Sequence, residues 1–136
     1  MMGTVSWRTF PGLSRRTPTQ ARHWVHQELN SWDVCIPEIE TAELIVAELA
    51  SNAVRHAPGP TVRVVLVRTS STLTVTVTDR GGLAGRKLGF VNLEAGLEAE
   101  SGRGLFLVGL SSARWSWYYT QTGTAVWAQI DADRRP

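Results

Sequence analysis

The sequence has a single cysteine, Cys35. One thiol excludes an internal disulfide and a cysteine-rich zinc site. There is no run of Lys or Arg. The 14 basic residues are spread among 12 acidic ones, and a net charge of +2 does not mark a nucleic-acid patch. No apolar span reaches transmembrane length, and the opening MMGTVSWRTFPG lacks the apolar stretch of a signal peptide. The expectation is therefore a cytoplasmic protein that binds neither membrane nor, directly, nucleic acid. No internal repeat or domain-scale linker is visible, so residues 1–136 read as one domain with enough chain for a real core. What is present is ordinary in bulk, at 43% hydrophobic and 19% charged. The information lies in the patterns.

TVSWRTF (4–10) reads as a short strand closed by Pro11 and Gly12. Thr17 is placed to cap a helix running to about Ser31, with Pro18 in its first turn. A second helix opens at Pro37 or Glu38 and stops near Ala57, where APGP cannot continue it. TVRVVLVRT and TLTVTVTD are strands joined by a tight turn at Ser70 and Ser71. Residues 80–101 are glycine-rich and without period, long for a structureless loop and typical of a lid. A third helix is expected from about Gly102, followed by a hairpin of RWSWYYT and TAVWAQI around QTG. Short turns imply antiparallel pairs. The order predicts an α+β fold: a two-layer α/β sandwich with a mixed, largely antiparallel sheet and helices on one face.

The second helix carries Glu48, Asn52 and His56 in one row, with Ser51 and Arg55 beside it. A helix whose last turns emerge into water would account for such a row. Ala47, Leu49, Ala50 and Ala53 crowd it, however, and leave little room for a wide solvated face. An asparagine carbonyl is a hard, neutral ligand suited to Mg2+, which keeps most of its waters. A carboxylate one turn away can orient or deprotonate a nucleophile.

In TLTVTVTD, Leu73, Val75 and Val77 share a face with Asp79. Asp79 thus falls at the strand end on the apolar side, where a carboxylate needs a donor. The amides of Gly81 and Gly82 could serve, as in a loop cap; the exocyclic amine of adenine is the other candidate, with glycine letting the base approach. Further on, Gly102, Arg103 and Gly104 open the third helix. Its free N–H groups and positive dipole end would seat a phosphate.

Taken together, ELASNAVRHA, DRGG, ESGRGLFLV and GTAVWA, in that order, resemble the ATP-binding superfamily of gyrase, histidine kinases and the mismatch-repair ATPase (the Bergerat fold). The resemblance covers roughly residues 15–130 and is nearest to the small anti-sigma-factor serine/threonine kinases. It implies Glu48 as general base and Asn52 as the Mg2+ ligand. Asp79 would read adenine, with Gly81 admitting the base and Thr124 nearby. Gly102, Arg103 and Gly104 would meet the phosphates of ATP, with Arg55 and His56 in support. It further implies an anti-sigma factor that binds a sigma factor, phosphorylates an anti-sigma-factor antagonist, and can form a homodimer as such relatives do. The pattern departs from the family in the second box, where DRGGLAG replaces the usual spaced glycine, and in a short lid. A non-catalytic nucleotide-binding module that sequesters its partner is the alternative, and a detached histidine-kinase catalytic domain another. HQELN on the first helix does not supply a phospho-accepting histidine, because the dimerising hairpin is missing; His23 and His26 are expected to be surface or packing residues. The six tryptophans are expected to be mostly core.

Overall fold

The computed structural model describes residues 3–56, 59–80 and 112–132. In chain order they form β1 (Thr4–Pro11), α1 (Thr17–Ser31), α2 (Ile36–His56), β2 (Thr61–Arg68), β3 (Thr72–Asp79), β4 (Arg114–Tyr119) and β5 (Thr124–Asp131). The strands make one five-stranded sheet in the order β1-β2-β3-β5-β4. Every pair in it is antiparallel. The expected α+β sandwich is present, with the sheet antiparallel throughout rather than mixed. The lid and the third helix expected at residues 80–112 fall almost wholly outside the described residues.

Period-two patterning decides which face is covered. Val62, Val64 and Leu66 of β2 and Leu73, Val75 and Val77 of β3 are buried beneath the helices, together with Val126, Ala128 and Ile130 of β5. They meet Ile39, Ile45, Val46 and Leu49 of α2 and Val25 and Leu29 of α1 in a single core. α2 is apolar around most of its girth because it packs on α1 and on the sheet at once. Ile45 is fully buried in this core. Ile45→Ala is expected to cost about 2–5 kcal/mol, read as a lower denaturant midpoint at unchanged slope.

Three contacts fix β1 and α1. The rings of Phe10 and Trp24 meet edge to face, with centroids 6.1 Å apart. The Ser6 hydroxyl donates to Glu28 Oε1 at 2.6 Å. Thr17 does not cap α1 as expected: Arg16 holds the cap position without a side-chain bond, and the buried Thr17 hydroxyl donates to the Pro11 carbonyl instead. Sealing the strand-to-helix corner takes precedence over capping there, because Thr17 sits where the chain turns against the core.

The tryptophans correct a second expectation. Trp24 is buried, but Trp32, Trp115 and Trp117 only lean on the core, half-exposed. Trp7 is 58% exposed on the face of the sheet that the helices leave open. Alternation alone does not say which side of an edge strand faces the helices.

Candidate functional site

The site lies where the C-terminal half of α2 crosses the end of β3. Leu49, Asn52, Ala53 and His56 from α2, Val77 and Asp79 from β3, and Val126 from β5 line one small cavity. The one-turn spacing from Asn52 to His56 puts both on the sheet-facing side of the helix. Asn52 is 8% exposed and Asp79 4% exposed, so an amide and a carboxylate are held in an otherwise apolar wall.

The hairpin between β4 and β5 positions Asp79. Its turn is closed by the Thr120 amide donating to the Gly123 carbonyl, and by the Gly123 amide donating to Thr120 Oγ1. The Thr124 amide then donates to Asp79 Oδ1 at 3.3 Å. Gly123 is required by close approach: a Cβ there would come within 2.0 Å of the Asp79 carbonyl oxygen and 2.7 Å of its Oδ1. Gly123→Ala is therefore expected to push the hairpin away from β3. It should lower stability by about 1–3 kcal/mol and weaken any ligand held by Asp79, both measurable in one thermal melt with and without that ligand.

Thr124 is fully buried, and its Oγ1 has no hydrogen-bond partner among the described residues. A buried hydroxyl left so is costly unless a bound group or water satisfies it. Glu48 stands one turn before Asn52 on α2, half-buried and outside the lining of the cavity. Arg55 is exposed, while His56 lines the cavity. His26 makes a 2.6 Å contact from Nδ1 to Glu43 Oε2 on the exposed surface, in keeping with a surface role. Gly81, Gly102, Arg103 and Gly104 lie outside the described residues.

The structure thus brings together Asn52, Asp79, Thr124 and His56, with Glu48 adjacent along α2. Sequence reasoning missed Gly123, Val77 and Val126. The glycine immediately before Thr124 in QTGT was the available signal. The volume open among the lining residues is small, about 10 Å³, room for about one water. Its polar groups are a buried amide and carboxylate set in an apolar lining, with the Thr124 hydroxyl, unpartnered among the described residues, beside them.

A family model described as the histidine kinase-like ATPase domain matches residues 10–130. The chain belongs to that family. Among solved structures, this histidine kinase-like ATPase domain is similar to a chain of the SiaB–SiaC complex from Pseudomonas aeruginosa. The TM-score is 0.67 at 12% identity, over 90% of this chain and 88% of that one. At that identity the likeness concerns the fold. No curated protein matches the sequence. Membership of an ATPase domain family implies that the chain binds ATP. No helix among the described residues is long and apolar enough to cross a membrane.

Proposed function

We propose that this domain is a cytoplasmic, ATP- and Mg2+-dependent regulator that holds a sigma factor and phosphorylates a serine or threonine of an anti-sigma-factor antagonist. The observation that carries this reading is the buried Asp79 carboxylate, sharing a cavity with Asn52 and braced by the amide of Thr124. A protein partner is supported by the similar fold of a chain solved in a SiaB–SiaC complex.

ATP bound at this site supplies the transferable phosphoryl group. Asp79 would accept the exocyclic amine of adenine, and Thr124 Oγ1, which has no hydrogen-bond partner among the described residues, would gain one. The apolar side chains of Leu49, Val77 and Val126 exclude water from the base. The Asn52 carbonyl oxygen would hold Mg2+ as a neutral ligand. Glu48, one turn along α2 toward the helix start, takes the proton of the acceptor hydroxyl. Gly81 admits the base and Gly102, Arg103 and Gly104 meet the phosphates, as their places in the sequence pattern imply.

A sequestering module without turnover is the second reading, favoured by the water-sized volume among the described residues. Incubation with γ-labelled ATP and a candidate antagonist separates them. Acid-stable label on the antagonist is expected for serine or threonine transfer. Acid-labile label identifies a detached histidine-kinase domain, and binding without label identifies the sequestering module.

A further inference from the structure

The open face of the sheet carries a second cavity, remote from the first in that it uses the opposite side of every strand. It measures about 570 Å³ and is lined by Arg63, Arg80, Tyr118, Val65 and six threonines. No acidic residue lines it among the described residues. Register explains its shape. Thr9, Arg63, Thr78, Ala125 and Tyr118 are successive cross-strand partners, one per strand, so they form a single row across the whole sheet. Ala125 is the small residue in that row. The adjacent row, Trp7, Val65, Thr76, Trp127 and Ser116, makes a taller aromatic wall. Five strands set the groove about 19 Å long, the span of roughly six extended residues.

Its chemistry is that of a docking surface. Trp7 and Tyr118 are 58% and 52% exposed near the groove's two ends, and such aromatics anchor protein interfaces. The Arg63 guanidinium lies over the Trp7 ring, 4.6 Å from its centroid. Neither Arg63 nor Arg80 has an acidic partner among the described residues. A guanidinium held in this way matches a carboxylate with two parallel hydrogen bonds, and threonine hydroxyls serve the backbone beside it.

We propose that this groove docks an extended, acidic segment of a partner protein, lying across the strands with its carboxylates on Arg63 and Arg80. Charge decides among the occupants. Two copies stacked through this face would bring four arginines together, with no acid among the described residues lining either groove. A polynucleotide needs many phosphate contacts, and among the described residues two cations line this groove. The proposal is independent of the nucleotide reading, since the nucleotide cavity faces the helices.

The test uses the full chain and a labelled, blocked peptide of about eight residues alternating glutamate and valine, followed by anisotropy. Saturable binding is expected, weakening steadily from about 50 to about 500 mM salt. Arg63→Glu is expected to raise the Kd about tenfold or more, and Thr9→Arg, which adds a cation to an exposed position of the groove, to lower it. A gain in Thr9→Arg cannot come from misfolding. The proposal is overturned if a control peptide of the same length alternating lysine and valine binds equally, or if Arg63→Glu leaves the Kd unchanged. It is overturned as well if an oligothymidine or inorganic phosphate displaces the peptide, or if the chain sediments as a dimer that Arg63→Glu dissociates.

Discussion

Asp79→Asn is expected to weaken ATP binding on the order of 100-fold while leaving the fold intact. The substitution is nearly isosteric. Its amide oxygen can still accept from the Thr124 amide, which Asp79 Oδ1 now does at 3.3 Å. The other end of the side chain becomes an NH2 group, so a donor faces the donor of the adenine amine. A charge-assisted hydrogen bond contributes about 1.5–3 kcal/mol, and leaving a buried donor unmatched adds to that loss. Because Asp79 is 4% exposed, water cannot repair the mismatch. The check is an ATP titration beside a thermal melt. An unchanged affinity with an unchanged melting temperature would remove Asp79 from the site. A collapsed melt would make it a structural bracket for the β4–β5 hairpin.

Glu48→Ala should separate binding from turnover. General-base catalysis contributes about 10²–10⁴-fold, so phosphoryl transfer is expected to fall by that factor. ATP affinity should change little, because Glu48 stands beside the cavity lining rather than in it. Glu48 is half-buried, and its removal leaves no buried charge behind. Single-turnover transfer with saturating ATP is the measurement. A parallel loss of affinity and rate would assign Glu48 a structural role in α2. An undiminished rate would mean that another group, or none, takes the proton.

Most of the helix-covered half of this fold was legible in advance. The clean alternation of TLTVTVTD placed Asp79 on the buried side, because an unbroken period of two leaves no freedom in face assignment. The row of Glu48, Asn52 and His56 followed from helical geometry in the same way. Thr124, which the resemblance places near the adenine, lies directly against Asp79. What could not be read was long-range placement. Nothing in RWSWYYT says that β4 sits outside β5 rather than beside β3, and edge position is why Trp115 and Trp117 stay half-exposed. Trp7 departs from the expected core placement for the same reason: an edge strand offers an aromatic as readily to solvent as to the core. Thr17 looked like a cap because of its local sequence, whereas a carbonyl six residues earlier claimed its hydroxyl. Gly123 was passed over as a turn device. Its need arises from a strand end 44 residues away along the chain, at Asp79.

The central claim is that the cavity between α2, β3 and β5 binds adenine nucleotide. Calorimetric titration of the wild-type chain with ATP and with GTP, each in Mg2+ and in EDTA, tests it most directly. Saturable ATP binding at one site per chain is expected, stronger with Mg2+ through Asn52 and with GTP rejected, since guanine presents a carbonyl where adenine presents the amine that Asp79 accepts. Equal binding of the two nucleotides, or no heat from ATP at millimolar concentration, would contradict it.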